Sequence, residues 1–168
     1  IPGSVACTVG TLPSFCGVVS NAGKARMKGF EFETRAKLID GESGTLTFTG
    51  SLGYIDAKYK TYITNIGGVP TDVAAFRKVQ NTPAWSGSAS LDYALNVGAG
   101  RVNLTGGMSF KSKTYQFEVP NPFLDQDGFV LVDASVVYTA DSGLYSIGVH
   151  GTNLFDKEYI VAGYNFVA

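Results

Sequence analysis

The stretch GFEFETRAKLI, residues 29–39, alternates between apolar even positions and charged odd positions over most of its length. The apolar positions are Phe30, Phe32, Ala36 and Leu38, and the charged positions are Glu31, Glu33, Arg35 and Lys37. Because successive side chains of a β-strand point to opposite faces, this pattern predicts a strand with one apolar face and one ionic face. Such a strand belongs to a sheet whose two faces meet different surroundings.

The same period of two recurs along the chain and is interrupted by short segments rich in Gly, Asp, Asn and Ser. The alternating segments are residues 29–39, 45–54, 84–95, 101–111, 129–139 and 144–153, and the turns are residues 40–44, 96–100 and 140–143. This arrangement predicts an all-β, antiparallel, up-and-down sheet of about six long strands in three hairpins. No segment approaches the roughly 20 consecutive apolar residues of a membrane-spanning helix, so any membrane crossing must be made by strands.

The predicted connections fall into two length classes. Those within hairpins are short, whereas residues 60–82 and 112–128, which join one hairpin to the next, are long. Outer-membrane β-barrels have short periplasmic turns and long extracellular loops, and their strands need about 9–11 residues. A transmembrane barrel therefore explains both the connections and the strand lengths. About six strands do not close a barrel, because the smallest have eight, so we expect the sheet to continue or to assemble.

Aromatic residues mark both ends of the predicted apolar face. Tyr93, Tyr138 and Tyr145 lie near short turns, and Trp85 and Phe110 lie toward the long connections. Such positions are typical of the two aromatic girdles at the membrane interfaces. The alternative is that these rings fill the core of a soluble protein.

Composition agrees with a sheet that faces lipid. Charged residues make up 16% of the chain, against roughly 25% in soluble domains. The 13 basic and 14 acidic residues provide no basic face for nucleic acid. The chain starts at Ile1 with neither Met nor a signal peptide, so we expect it to be internal to a longer precursor.

Few residues offer a site for catalysis or for a metal. Cys7 and Cys16 are predicted to close a loop by a disulfide; a metal pair or two free thiols are the alternatives, although the single histidine, His150, is distant in sequence. Asp133 and His150 share the polar face and could pair, but no nucleophile accompanies them. Residues 125–128 resemble the start of a calcium loop without its later ligands, which favours an exposed turn. We therefore expect no enzyme activity, metal or cofactor.

Three stretches resemble TonB-dependent outer-membrane receptors, and the resemblance covers nearly the whole chain. KARMKGFEFE at residues 24–33 is similar to the family's basic, glycine-containing strand entry, and NTPAW at residues 81–85, with Tyr93 beyond it, resembles a strand returning from a long external loop. GTNLFDKEY at residues 151–159 matches the family's penultimate-strand signature almost residue for residue. The resemblance implies the last third of a barrel of about 22 strands, with the closing strand missing.

The resemblance also implies a function. In the family, a ferric siderophore or similarly bulky nutrient binds outside the cell, and an inner-membrane TonB complex acts through a TonB box on a plug domain. The plug and TonB box lie at the family's amino-terminal end, so residues 1–168 would form a partial barrel domain in the bacterial outer membrane, in contact with its lipid. Its expected external loops are residues 1–25, 60–82, 112–128 and 154–168.

Ligand binding is predicted at aromatic and cationic residues of these loops or beside them. The candidates are Tyr59, Tyr62, Arg77, Tyr115, Phe117 and Phe123. Loop residues on a rigid scaffold often carry function, although these rings could instead pack the loops together or shield the plug. The charged face of residues 31–37 could likewise contact the plug or a ligand, or only solvate a wet interior. The rival functions are a passive porin and a secreted all-β binding module.

Overall fold

The computed structural model describes residues 23–164 and two short strands before them, β1 (Thr8–Val9) and β2 (Leu12–Pro13). These two strands pair with each other in a separate antiparallel ribbon. Cys7 and Cys16 lie outside the described residues, so their disulfide stays a prediction.

One seven-stranded antiparallel sheet contains the remaining strands. They are β3 (Gly23–Gly41), β4 (Gly44–Ile66), β5 (Val69–Asp72), β6 (Trp85–Val97), β7 (Gly100–Lys111), β8 (Phe129–Ala140) and β9 (Ser146–Gly151). The spatial order is β3-β4-β6-β7-β8-β9, with β5 paired to β4 outside this path. The predicted all-β, antiparallel fold with neighbouring hairpins is confirmed.

A single turn of 3-10 helix, Ala74–Phe76, follows β5. No helix in the described residues is long and apolar enough to cross a membrane.

The first part of the predicted connection 60–82 forms a hairpin and not a loop. Strand β4 is 23 residues long and ends at Ile66, and β5 returns beside it from Val69. Gly67 and Gly68 form the turn with φ angles of 60° and 85°, which the missing Cβ makes accessible. The Gly-Gly pair between two runs of β-branched residues was the available signal for this hairpin.

The register gives each strand one apolar face and one polar face. Phe32, Leu52, Gly87, Phe110 and Val130 form one row across five strands, and the neighbouring row is Glu33, Ser51, Ser88, Ser109 and Leu131. We call the side of the first row the apolar face and the side of the second row the polar face.

Nothing within the described chain covers the apolar face. Phe32 is 60% exposed on β3 and Val149 is 73% exposed on β9, whereas the buried apolar side chains of the described residues are only Val73, Phe129 and Ala140. A soluble domain would bury this face in a core. The aromatic residues therefore do not fill a core of this chain, and the apolar face requires an apolar environment.

Aromatic clusters border the apolar face at both ends. Near the long connections, the ring centroids of Tyr54 and Trp85 are 4.6 Å apart, and Phe30 lies 5.7 and 5.8 Å from them. Near the short turns, the rings of Tyr138 and Tyr145 are 6.2 Å apart. On β6, Trp85 and Tyr93 mark the two ends of the apolar face. With a rise of about 3.3 Å per residue and a strand tilt of about 40°, these two residues are separated by roughly 20 Å along the membrane normal. This height fits a transmembrane apolar band.

A β-bulge changes the predicted orientation at the end of β3. The register shifts between Lys37 and Ile39, so Ile39 instead of Leu38 pairs with Leu46 of the apolar face. Leu38 is the extra residue of the bulge, and Ile39 takes the paired position on the apolar face that strict alternation would give to Leu38. The sequence Leu-Ile offers two adjacent apolar residues and does not reveal which one stays in register.

Gln126 ties two connections together at the top of the sheet. Its backbone exchanges hydrogen bonds with Thr114 at 2.9 and 3.0 Å, and its side-chain Oε1 accepts the Ile160 backbone N–H at 2.6 Å. Gln126 is only 8% exposed. The expected exposed turn at residues 125–128 is thus wrong at this position, although Asp127 does lie at the surface and pairs with Lys113.

The possible pair of Asp133 and His150 does not form. Asp133 Oδ1 accepts the backbone N–H of Asn153 at 2.8 Å, and the register places His150 opposite Ser135. The carboxylate therefore fixes the end of β9 and does not orient the imidazole.

A charge on the apolar face is expected to destabilise the folded barrel far more than one on the polar face. We expect Val132→Arg to lower the free energy of unfolding by about 2–4 kcal/mol in lipid, and Ser135→Arg, on the same strand, to have little effect. Urea titration of the folded full-length protein in vesicles measures both. Equal destabilisation by the two substitutions would contradict the assignment of faces.

Removal of the Gln126 side chain is expected to release the segment after β9. Gln126→Ala leaves the Ile160 N–H without its acceptor, and amide exchange in residues 157–164 should accelerate about tenfold or more. Gln80→Ala, at an exposed glutamine, is the control. Unchanged exchange in the Gln126 variant would show that other contacts hold this segment.

Candidate functional site

A concavity of about 540 Å³ lies on the polar face toward the long connections. Its floor consists of serines from three strands, with two glutamates at one side and a cationic and aromatic group at the other. The lining side chains of the polar face are Glu31, Glu33, Ser51, Ser86, Ser88, Ser109, Lys111, Phe129, Leu131 and Tyr159. Small hydroxyl residues leave the floor open, so the strands themselves create the space.

Tyr159 closes one side of this concavity. Its ring stacks on Phe129 with centroids 4.6 Å apart and an interplanar angle of 18°, and Lys111 Nζ lies 5.0 Å from the Phe129 centroid. Neither aromatic residue was among the predicted ligand contacts. The available signal for Tyr159 was its place at the end of GTNLFDKEY.

Asn153 explains how that motif directs the chain back over the sheet. Its φ is 49°, in the left-handed region that asparagine tolerates better than most residues. Its side chain accepts the Lys157 N–H at 2.9 Å and donates to the Lys157 carbonyl at 3.2 Å. These bonds hold the turn between β9 and Tyr159.

The electrostatic character of the concavity differs between its sides. Glu31 and Glu33 make no ion pair with another described residue, and Lys111 faces the aromatic side. No group of three or more His, Cys, Asp or Glu side chains in the described part of the chain is arranged to hold a metal ion. The surface offers acidic, hydroxyl and aromatic contacts to a large polar molecule.

Three predicted ligand residues meet above the concavity, and we call them the Tyr–Arg cluster. Tyr59 and Tyr62 are in edge-to-face contact at 5.0 Å, and the Arg77 guanidinium lies 5.4 Å from the Tyr62 centroid. Tyr59 follows Ser51 by an even number of residues without an intervening register shift, so the cluster lies on the polar face.

Desolvation raises the pKa of the Tyr59 phenol, with further contributions from nearby Glu118 and Tyr62. The phenol therefore stays protonated at neutral pH and can donate a hydrogen bond.

Asp72 fixes the local structure that carries this cluster. Its Oδ1 accepts the backbone N–H of Tyr62 at 2.9 Å and that of Ala74 at 3.0 Å. These two bonds lower the pKa of Asp72 because they stabilise its carboxylate. The turn that leads to Arg77 is thus attached directly to the strand that carries Tyr62.

The remaining candidates lie elsewhere. Tyr115 lies between Lys78 and Lys113, whose Nζ atoms are 5.6 and 5.7 Å from its centroid. The ring centroids of Phe117 and Tyr164 are 6.4 Å apart, and Phe123 is 82% exposed. The fold therefore brings three of the six predicted residues into one cluster and separates the others.

Comparison with known proteins identifies the family. The family model "TonB dependent receptor-like, beta-barrel" matches residues 2–154. The ferrichrome outer membrane transporter/phage receptor of Escherichia coli (strain K12) is 30% identical over 149 residues, covering 85% of this chain and 18% of that protein. The metal-pseudopaline receptor CntO of Pseudomonas aeruginosa (strain UCBPP-PA14) is 28% identical over 162 residues, covering 92% of this chain and 20% of that protein.

The chain thus spans about a fifth of the length of these curated relatives. No solved structure matches it. The antiparallel sheet, the two opposed faces and the family match agree, and the chain belongs to the TonB-dependent receptors as part of their outer-membrane β-barrel.

Proposed function

We propose that this chain provides barrel wall and a ligand-capturing mouth to a transporter that imports a ferric siderophore or a similar bulky metal chelate. The main supporting observation is the Tyr–Arg cluster above the polar-face concavity. One relative is named for ferrichrome and another for metal-pseudopaline, which favours a metal chelate as the cargo. The chain would bind and pass this cargo without changing it chemically.

The cluster suits a large ligand with many oxygen atoms. The Arg77 guanidinium presents several N–H donors, and the protonated Tyr59 phenol adds another. Tyr62 offers an aromatic surface beside these donors, and its own contact with Arg77 holds the guanidinium in place. The concavity of about 540 Å³ is within the usual range for small-molecule sites.

The family's plug and TonB complex would supply energy coupling. Glu31 and Glu33 have no ion-pair partner in the described chain and face the side on which a plug would lie. Basic groups of a plug domain would complement them, and a TonB box on that plug would receive the force. A passive porin would require neither partner.

Substitution of Arg77 is expected to weaken capture of the chelate. In the full-length receptor we expect Arg77→Ala to reduce the affinity for iron-loaded ferrichrome about tenfold, because a desolvated hydrogen-bonding and cation–π contact is lost. Lys78→Ala is the control, because the extended backbone at Arg77 directs the next side chain away from the cluster. Binding is measured by fluorescence quenching and uptake by radioactive iron in whole cells.

Two results would contradict the proposal. The first is that neither iron-loaded ferrichrome nor iron-loaded pseudopaline binds the wild-type receptor. The second is that Arg77→Ala and Lys78→Ala weaken binding equally. Uptake that persists after the proton gradient is dissipated would favour the passive porin.

Asp72 is expected to give the Tyr–Arg cluster a pH dependence. Its folded-state pKa is lowered, so its stabilising contribution is fully present above the unfolded value of about 3.9 and disappears as the pH falls through the folded value. At neutral pH, Asp72→Ala should accelerate amide exchange in residues 59–66 and weaken ferrichrome binding, and Asp40→Ala, near a short turn, should do neither. Equal exchange in both variants would show that Asp72 does not hold the cluster.

A further inference from the structure

Charged residues appear on the apolar side of the sheet immediately beyond the Phe30, Tyr54 and Trp85 cluster. Strand β3 continues from Phe30 to Lys28 and Arg26 at alternate positions, and β4 continues from Tyr54 to Asp56 and Lys58. The register is uninterrupted across this stretch, so these side chains point the same way as the lipid-facing rings. A band without charged side chains is thus followed directly by a charged one.

The height of these residues matches the layer of lipid headgroups. At about 3.3 Å per residue and a tilt of about 40°, Lys28 lies roughly 5 Å above Phe30, and Arg26 lies roughly 10 Å above it. A headgroup layer is about 5–8 Å thick, and long basic side chains reach several ångströms further. Arg26, Lys28 and Lys58, which we call the basic rim, are therefore placed to reach lipid phosphates.

Charge within the basic rim is only partly neutralised by the protein. Asp56 binds both Arg26, at 3.1 Å, and Lys58, at 2.8 Å. Lys28 makes no ion pair with any described residue. Three cations against one carboxylate leave a net positive charge, and Asp56 holds two of the cations in fixed positions.

A small pocket extends this surface sideways. It measures about 180 Å³ and is lined by Tyr54 and Asp56 from β4 and by Lys78, Lys113 and Tyr115 from the connections. Lys113 is paired with Asp127, whereas Lys78 lies against the Tyr115 ring without a carboxylate partner in the described chain. The pocket thus adds aromatic surface and a further uncompensated cation at the same level.

We propose that the basic rim binds the phosphate groups of anionic lipids in the outer leaflet, with their acyl chains on the apolar face below. The occupant is a lipid because the cations continue a lipid-facing surface with no break in the register. A soluble phosphate would gain nothing from the rings of Phe30, Tyr54 and Trp85, whereas a lipid contacts rings and cations together. The proposal rests on the outer-membrane location of the family and is independent of the transported ligand.

The test compares two pairs of substitutions in the full-length receptor. Lys28→Gln with Lys58→Gln removes two charges from the basic rim, and Arg35→Gln with Lys37→Gln removes two charges from the polar face of the neighbouring segment. Each pair contains one lysine that is bound to a carboxylate and one cation that is not. Native mass spectrometry counts phosphatidylglycerol and phosphatidylcholine retained from mixed micelles with identical acyl chains.

We expect the wild-type receptor to prefer phosphatidylglycerol, and the Lys28/Lys58 pair to reduce its retention about tenfold or more while the Arg35/Lys37 pair leaves it unchanged. The proposal would be overturned if the wild-type receptor retained phosphatidylglycerol and phosphatidylcholine equally, or if both pairs of substitutions reduced the retention of phosphatidylglycerol by the same factor. Displacement of the lipid by millimolar inorganic phosphate would also overturn it, because the phosphate group alone would then be the ligand.

Folding and transport are controlled separately. Heat-dependent gel mobility reports whether each barrel is folded. If the double variant does not assemble, Lys28→Gln alone replaces it, because Lys28 is exposed and makes no ion pair with a described residue. We expect this single variant to retain about fivefold less phosphatidylglycerol. Unchanged retention in this single variant would overturn the proposal. Iron-loaded ferrichrome binding is measured in the same samples, so failure of the transport proposal and failure of the lipid site give different results.

Discussion

The antiparallel hydrogen-bond ladder determines which surroundings each side chain meets. In lipid, every backbone N–H and C=O must be paired within the protein, and the ladder from β3 to β9 does this for the central residues of the sheet. Since side chains alternate along each paired strand, one register fixes two surfaces together. A shift by a single residue would direct Glu33 toward lipid and Phe32 toward the interior. On the apolar face of the described strands, no charged side chain lies between the two aromatic borders, so the sequence follows this constraint closely.

That constraint also explains how much was predictable. A period of two is a local property, so the strands, the hairpins and most face assignments followed from the sequence. Exceptions occur where geometry, not hydropathy, decides: Leu38 leaves the register at a bulge, and Gly67 and Gly68 turn β4 back into β5 within an expected loop. β9 extends only from Ser146 to Gly151 and ends before the predicted residue 153, because the chain turns away at Asn153 with a positive φ.

The candidate site was less predictable because loop residues have no periodicity. Tyr59, Tyr62 and Arg77 were recognised by residue type, and the fold groups them, but Tyr115 was equally plausible and lies among lysines instead. Tyr159 and Phe129 were missed, since their stacking depends on the Asn153 turn and on the Gln126 bond to Ile160. Long-range contacts of this kind depend on the whole arrangement of connections.

The neighbouring residues Arg77 and Lys78 contact different aromatic rings, Arg77 that of Tyr62 and Lys78 that of Tyr115. A single peptide unit therefore separates a cation of the Tyr–Arg cluster from a cation that lies against the Tyr115 ring. A point substitution can remove either contact alone, whereas insertion or deletion of one residue between Val73 and Arg77 would displace both side chains from these rings. Evolution of this loop is thus expected to tolerate changes of residue type more readily than changes of length.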